Sequence, residues 1–152
     1  MTILNAQIKE LLKEEDHIAA LANVSACIMQ NYENLNWAGF YFVKNSELIL
    51  GPFQGKVACT HISFQKGVCG KCYREKQSQL VDDVLAIQDH IACDAASRSE
   101  LCVPILLNDK VIAEIDLDAP IPNRFTTKEL KEMEEAAKDI AIAYQTYQWP
   151  LE

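Results

Sequence analysis

The chain has 152 residues, a length typical of one globular domain. Hydrophobic residues make up 49% and charged residues 24% of the chain, and this ordinary globular usage excludes a wholly disordered protein. Fourteen Lys and Arg against 22 Asp and Glu give a net charge of -8, which argues against nucleic-acid binding because such binding depends on clustered cations.

The N-terminal part of the sequence predicts helices followed by strands. Apolar residues at helical spacing predict one or two amphipathic helices over 4–29, with a break near Glu14–Asp16. Trp37–Val43 and Glu47–Leu50 are aromatic or β-branched runs separated by Lys-Asn-Ser, which predicts a β-hairpin. A third strand is predicted over Val57–Phe64.

A short helix, a brief strand, a long irregular segment and two further strands are predicted next. The two further strands are joined by a tight Asn-Asp turn. In chain order these elements are Gly67–Gln77, Gln79–Val81, Val84–Ser99, Glu100–Leu107 and Lys110–Asp118.

The last helix is predicted over 126–149. Thr126 and Glu129 have the spacing of a capping box, and apolar residues from Leu130 to Tyr147 recur every three or four positions. The order of elements fits the α+β class, with helices packed on a mostly antiparallel sheet.

One predicted strand, Lys110–Asp118, has an apolar face and an acidic face, since residues two apart share a face of a strand. The acidic face carries Glu114, Asp116 and Asp118. A solvated sheet face is the more frequent explanation of such a pattern. The alternative is a pocket where neighbouring carboxylates raise the pKa of one another, so that one of them keeps its proton near neutral pH.

The six cysteines are unusual in a chain long enough to fold without disulfides. The longest apolar runs have seven residues, far below the ~20 of a membrane helix, and no secretory leader is present, so we expect a cytoplasmic protein. In a reducing cytosol such cysteines favour redox chemistry or metal binding. Cys69 and Cys72 form a C-x-x-C sequence. The residues that could complete a zinc site with it are Cys59, His61, His90 and Cys93.

Individual cysteines differ in their surroundings. Cys93 lies in a polar segment, His90–Glu100, of the kind that is functional in compact domains. A helical turn after Cys93 would favour its thiolate. Cys59 and His61 share a face of their predicted strand, whereas Cys27 and Cys102 are predicted to be buried as hydrophobic residues.

Motifs spread along nearly the whole chain together resemble the free methionine-(R)-sulfoxide reductases, which are single-domain enzymes with the GAF fold. The resemblance implies one GAF-like domain over 1–152, with a helical segment over 1–32, a sheet core over 36–119 and a C-terminal helix over 126–149. It also implies reduction of the R epimer of free methionine sulfoxide, with thioredoxin recycling the enzyme. The motifs that carry it are Asn36–Tyr41, Gly51–Lys56, Ala58-Cys59, Lys66–Gly70, Asp83-Val84, His90–Ser97, Ser99-Glu100 and Asp116–Asp118.

The same resemblance assigns roles to eight residues. Cys93 corresponds to the cysteine that attacks the sulfoxide sulfur, Cys59 is the first choice for the resolving cysteine, and Cys69 is the second choice or the attacking residue itself. The departing oxygen needs a protonated acid, and Glu100 with Asp116 or Asp118 is expected to supply it. Trp37 and Tyr41 are expected to enclose the S-methyl group. The assigned residues are catalytic Cys93, Cys59, Cys69 and Glu100, and substrate-binding Trp37, Tyr41, Asp116 and Asp118.

Some residues depart from the family pattern. Glu114 stands where an apolar residue is usual, and Cys72 and Cys102 are additional cysteines. No metal and no cofactor are expected, and a homodimer is expected by analogy alone. The alternative function is a non-catalytic GAF module that senses a small ligand, redox state or zinc.

Overall fold

The computed structural model describes residues 1–87 and 96–151, and in these residues one antiparallel sheet of six strands organises the chain. The strands are β1 (Trp37–Lys44), β2 (Glu47–Gly55), β3 (His61–Ile62), β4 (Gln79–Val81), β5 (Ser99–Leu107) and β6 (Lys110–Ala119). Their spatial order is β3-β2-β1-β6-β5-β4, so that β1 and β6 lie at the centre.

Helices cover both faces of this sheet, which confirms the predicted α+β class. They are α1 (Ile3–Leu11), α2 (His17–Asn31), α3 (Gly67–Glu75) and α4 (Thr127–Thr146). The Asp16 side chain caps α2 by accepting the N–H of Ala19 at 3.0 Å, which explains the break between α1 and α2. Thr126 and Glu129 form the predicted capping box of α4. Among the described helices, none has both the length and the apolar character of a membrane span.

Both predicted hairpin turns use residues with positive φ. Asn45 and Ser46 join β1 to β2 at φ values of 53° and 62°, and Asn108 and Asp109 join β5 to β6 at 52° and 63°. Two central residues of this kind match the right-handed twist of the flanking strands. The predicted hairpins are therefore confirmed.

Strand β2 continues five residues beyond its predicted end at Leu50. Gly39 pairs with Phe53 and Tyr41 pairs with Leu50, so one residue of β1 faces two residues of β2. This bulge accommodates Pro52, which has no N–H for a regular ladder. A Cβ atom on Gly39 would overlap Phe53, so glycine permits the close approach.

The predicted strand Val57–Phe64 is wrong, since only His61–Ile62 pairs with β2. Cys59 therefore precedes the strand and does not share a strand face with His61. The segment predicted as irregular over Val84–Ser99 contains a 3₁₀ turn at Val84–Ala86, and β5 begins at its last residue.

The two faces of the sheet bury different kinds of side chain. One face packs against α1, α2 and α4 through purely apolar strand residues such as Phe40, Leu101 and Ile115. The opposite face, which we call the α3 face, packs against α3 and the chain before β3. The buried apolar cluster between this face and α3 consists of Trp37, Tyr41, Leu48, Ile62, Val68, Cys69, Cys72 and Cys102.

Candidate active site

Strand register brings acidic and aromatic residues together on the α3 face. In β1, β6 and β5, residues of alternating position point to this face, so cross-strand neighbours form rows. The three rows are Trp37, Asp118 and Glu100, then Gly39, Asp116 and Cys102, then Tyr41, Glu114 and Pro104.

The acidic face of β6 is buried rather than solvated. Glu114 has no exposed surface, and Asp116 and Glu100 are 5% and 7% exposed. The solvated-face explanation, the more frequent one for such a strand, is therefore wrong here. The predicted grouping of Glu100 with Asp116 and Asp118 is present, because Glu100 pairs with Asp118 and lies diagonally from Asp116.

Burial makes the carboxyl group of Glu100 a proton donor near neutral pH. Burial, followed by the charges of Asp116 and Asp118, holds the pKa of Glu100 well above its ordinary value. Burial also raises the pKa of Asp116, although hydrogen bonds with Glu100 and Cys69 act in the opposite direction. Both shifts favour retention of a proton by this pair of carboxyl groups.

Three aromatic rings line the α3 face beside the acids. Trp37 stacks on Tyr41 with ring centroids 5.9 Å apart and on Phe53 at 5.2 Å. Phe53 was not predicted as a site residue. The bulge that aligns it with Gly39 has no sequence signal apart from the Gly51-Pro52 pair before it. The aromatic wall predicted from Trp37 and Tyr41 therefore has a third member.

Three buried polar atoms on this face have no hydrogen-bond partner within the described residues. They are the indole Nε1 of Trp37, a donor, the Oδ1 atom of Asp116 and the Oε2 atom of Glu114. Buried polar groups are almost always paired in folded proteins. Unpaired groups of this kind are available to a polar ligand.

Cys69 lies in the first turn of α3 and reaches the acids. Its Sγ is 3.8 Å from Oε2 of Glu100, and single ligand atoms of Cys69, Glu100 and Asp116 all lie within 4.8 Å of one another. The hydrogen bond from Cys102 lowers the pKa of the Cys69 thiol, but burial and the charges of Asp116 and Glu100 outweigh it, so the pKa is well above its usual value. Cys69 is therefore a neutral thiol.

Cys59 is held close to the aromatic wall by its backbone. Its carbonyl oxygen accepts the hydroxyl of Tyr41 at 2.9 Å, and burial, followed by the charge of Asp116, raises the pKa of that hydroxyl. Among the cysteines of the described chain, Cys59 is in a disulfide bond, while Cys27, Cys69, Cys72 and Cys102 are free thiols.

Cys93, predicted as the attacking cysteine, lies outside the described residues, as does His90. The chain just before and after them is anchored. The backbone N–H of Val84 donates to the carbonyl oxygen of Arg98 at 2.8 Å, and the Arg98 guanidinium pairs with Asp83 at 3.2 Å. Ser97 accepts the side-chain N–H of Asn36 at 3.1 Å, which connects this part of the chain to β1.

The zinc site considered from the sequence is not assembled by its described members. Cys59 is disulfide-bonded, and His61 is exposed and pairs with Glu47 at 2.6 Å. In the described ranges, the compact sets with metal-like spacing are instead Cys69, Cys102 and Glu114, and Cys69, Glu100 and Asp116.

Glu114 adds a buried acid that does not belong to the predicted site. Cys102 donates its thiol hydrogen to Oε1 of Glu114 at 3.2 Å, and Oε2 has no partner in the described chain. Burial raises the pKa of Glu114 well above its ordinary value, although the hydrogen bond from Cys102 lowers it. The pattern on β6 predicted an acid at this position, but not that it would face thiols.

We expect Glu114→Gln to make the protein more stable at alkaline pH. The folded protein keeps Glu114 protonated above the unfolded pKa of 4.5, so it binds more protons than the unfolded chain there. The free energy of unfolding therefore falls as pH rises, by up to about 1.4 kcal/mol per pH unit from this group. Glutamine has the same shape and no charge, so the variant should become more stable relative to wild type between about pH 5 and about pH 8.

Urea unfolding at about pH 5 and about pH 8 measures this difference. The exposed Glu15→Gln serves as the control and should keep the wild-type pH dependence. An identical pH dependence in wild type and Glu114→Gln would show that Glu114 is not the buried neutral acid described here.

Comparison with known proteins agrees with the fold. The GAF domain family model matches residues 20–145. A free methionine-R-sulfoxide reductase of Escherichia coli is 41% identical over 83% of this chain and 77% of that protein. The reduced form of fRMsr of Staphylococcus aureus has a TM-score of 0.88 and 46% identity, over 93% of this chain and 92% of that chain.

A further solved structure is a free methionine-R-sulfoxide reductase from Neisseria meningitidis in complex with its substrate. It has a TM-score of 0.92 and 35% identity, and the match covers 95% of this chain and 88% of that chain. The identities and the coverage are high enough to decide the family. The chain belongs to the GAF-domain family of free methionine-R-sulfoxide reductases.

Proposed function

We propose that this protein is an oxidoreductase that reduces free methionine-R-sulfoxide to methionine. The observation that carries the proposal is the buried pair of carboxyl groups at Glu100 and Asp116, which stands beside the Trp37 ring. A sulfoxide oxygen is a poor leaving group unless it is protonated. Two buried carboxyls that share a proton supply the required acid at neutral pH.

The attacking group is the thiolate of Cys93. It attacks the sulfoxide sulfur while Glu100 protonates the oxygen, methionine is released, and the oxygen remains on Cys93 as a sulfenic acid. The neutral thiol of Cys69 supports this choice, because a cysteine that is buried against Glu100 and Asp116 is a weak nucleophile. Sequence alone left Cys69 as an alternative attacker.

Cys59 is the resolving cysteine in this proposal. Its thiol condenses with the sulfenic acid of Cys93, which releases water and forms a disulfide. Two observations support the role: Cys59 is already disulfide-bonded, and the Tyr41 hydroxyl holds its backbone at the aromatic wall. The remaining described cysteines are free thiols.

The acids and rings also account for recognition of a free amino acid. Asp116 and Asp118 complement a substrate ammonium group, which a peptide-bound methionine sulfoxide lacks. The rings of Trp37 and Tyr41 provide an apolar surface for the S-methyl group. The unpaired indole N–H of Trp37 is a donor for a polar atom of the ligand.

The cycle needs a two-electron reductant, because each turnover leaves one disulfide. Thioredoxin is the proposed reductant. We also propose that the chain forms one GAF domain over 1–152. We also propose that the protein is cytoplasmic and forms a homodimer.

A coupled assay with each epimer tests the function. The purified protein is mixed with thioredoxin, thioredoxin reductase and NADPH, and then with free methionine-R-sulfoxide, free methionine-S-sulfoxide or a peptide that contains methionine sulfoxide. We expect NADPH oxidation with the free R epimer and at most a trace with the other two. NADPH oxidation with none of the three substrates, together with no methionine under a chemical reductant such as dithiothreitol, would contradict the function.

A further inference from the structure

Besides Cys59 and Cys93 of the proposed reaction, two buried thiols lie next to the candidate active site. The Sγ atoms of Cys69, on α3, and Cys102, on β5, are 3.7 Å apart, and both side chains are buried. We propose that Cys69 and Cys102 form a second redox-active dithiol, which takes over the disulfide made during substrate reduction and so stores two further reducing equivalents. This inference rests on the proposed function, because methionine sulfoxide is the oxidant.

The geometry of the pair suits bond formation. A disulfide has an S–S distance of about 2.05 Å, so the two sulfur atoms need to approach by only about 1.7 Å. Cys69 is in the first turn of a helix and Cys102 is in the adjacent strand, and these elements pack against one another. Small rotations of the two side chains therefore close the bond without a change in topology.

Each thiol of the pair faces its own carboxyl group. Cys102 donates to Oε1 of Glu114 at 3.2 Å, and Cys69 donates to Oε2 of Glu100 at 3.8 Å. A thiol must lose its proton before it attacks a disulfide, so Cys69, which starts the exchange, needs an ionised carboxylate as its proton acceptor. Glu100 becomes such a carboxylate once it has protonated the sulfoxide oxygen.

A simple apolar core does not explain the buried carboxyl group of Glu114. A buried carboxyl group costs free energy, and this one has no exposed surface and one oxygen without a partner in the described residues. It stands at a position where the family usually has an apolar residue, beside two cysteines that are additional to the family pattern. A neutral carboxyl group at this distance can donate its O–H to the Cys102 sulfur as that thiol loses its proton, and this role accounts for the combination.

Cys69 connects the second dithiol to the active site. One atom of its side chain lies within 4.8 Å of both Glu100 and Asp116, and Cys59 packs against the buried cluster to which Cys69 belongs. Cys69 is therefore the member that attacks the Cys59–Cys93 disulfide of the proposed reaction. Cys102 then attacks Cys69 and releases the first pair of thiols.

The exchange balances without any other reactant. The bond between Cys59 and Cys93 is broken and a bond between Cys69 and Cys102 is formed. Cys59 and Cys93 gain two electrons and two protons, and Cys69 and Cys102 lose the same number. The proton of Cys69 passes by way of Glu100 to the first thiolate released, and the proton of Cys102 goes to the thiolate that leaves Cys69. Substrate can then react a second time with the regenerated thiols before any reductant arrives.

Counting products in the absence of reductant tests the inference. Fully reduced protein is freed of reductant under argon and given excess free methionine-R-sulfoxide until methionine formation stops. Released methionine, free thiols and disulfide-linked peptides are then determined by mass spectrometry. We expect two methionines per chain and two disulfides, one of them Cys69–Cys102, with Cys27 and Cys72 left as free thiols.

The alternative outcomes are distinct. One methionine per chain, with Cys69 and Cys102 still free, would overturn the second dithiol but leave the proposed function intact. A second disulfide between Cys72 and Cys102 would overturn the pairing. No methionine would contradict the proposed function, and the inference would fail with it.

Variants at buried cysteines provide matched controls. Cys102→Ala should end with one disulfide per chain, because Cys69 then has no partner thiol. Cys72→Ala should still form two disulfides, as should Cys27→Ala, which removes a buried cysteine of α2 in the other core. Since the wild-type count decides the question by itself, a folding defect in one variant does not affect the test.

Discussion

We expect Cys93→Ser to lose methionine formation, with a fall in kcat/KM of at least about 10³-fold. A serine hydroxyl is not ionised at neutral pH and does not retain the sulfoxide oxygen as a sulfenic acid. Loss at the first chemical step means that neither thioredoxin nor a small chemical reductant restores activity. Steady-state methionine formation by chromatography, with each reductant in turn, measures the effect.

Cys59→Ser provides the contrast that separates attack from resolution. This variant should form its first methionine at the wild-type rate, since the attacking thiol and the acids are unchanged, but its thioredoxin-dependent turnover should slow. Cys27→Ser, in the core on the other side of the sheet, should behave as wild type in both measurements. Full multiple-turnover activity in Cys93→Ser would disprove the assignment of roles.

We expect Glu100→Gln to lower kcat/KM by about 10²–10⁴-fold, the usual contribution of a positioned general acid. Glutamine keeps the shape and a hydrogen-bond donor but has no proton to transfer. Wild-type activity should fall on the alkaline side as pH rises through the raised pKa of Glu100, because only the protonated acid assists departure of the oxygen. The variant should lose this alkaline decline.

The conservative Glu100→Asp separates chemistry from structure. It keeps an acidic proton, although at a shorter reach, so it should recover part of the activity and the alkaline decline. Far-UV circular dichroism checks that both variants are folded. Wild-type kcat/KM with an unchanged pH profile in Glu100→Gln would remove Glu100 from the acid role.

The sequence was sufficient to predict the parts of the fold that depend on local pattern. The helix break near Asp16, the capping box of Thr126 and both hairpin turns have local signals, and each is present in the structure. Strand β2 was predicted too short, because glycine and proline normally end strands. At Pro52 they form a bulge whose register only the partner strand determines.

The strand predicted over Val57–Phe64 failed for a related reason. Its alternating residues satisfy the strand pattern, but only two of them reach the edge of β2. The residues before β3 instead pack over the α3 face, and the Tyr41 hydroxyl fixes them at the carbonyl oxygen of Cys59. Such a long-range hydrogen bond leaves no periodic trace in the sequence.

The acids could be found from sequence, but their environment could not. Alternation placed Glu114 and Asp116 on one face of β6, and a solvated face and a buried pocket produce the same alternation. Burial depends on α3, which covers this face from another part of the chain. The pairing of Cys69 with Cys102 has the same origin, because it joins residues that are 33 positions apart.

The sheet therefore separates stability from chemistry. Its apolar face forms the main core with three helices, while its α3 face carries acids, thiols and aromatic rings. Burying acids on the α3 face lowers the free energy of unfolding, and for this reason we expect Glu114→Gln to raise it at alkaline pH. Apolar packing in the main core compensates for this loss.

Trapping the oxidised cysteine tests the central claim most directly. The Cys59→Ser/Cys69→Ser variant lacks both candidate resolving thiols, so the sulfenic acid should persist after it reacts with one equivalent of free methionine-R-sulfoxide in the presence of dimedone. We predict one methionine released per chain and a dimedone adduct on Cys93, located by peptide mass spectrometry. Methionine release without an adduct on Cys93, or an adduct on a different cysteine, would contradict the account.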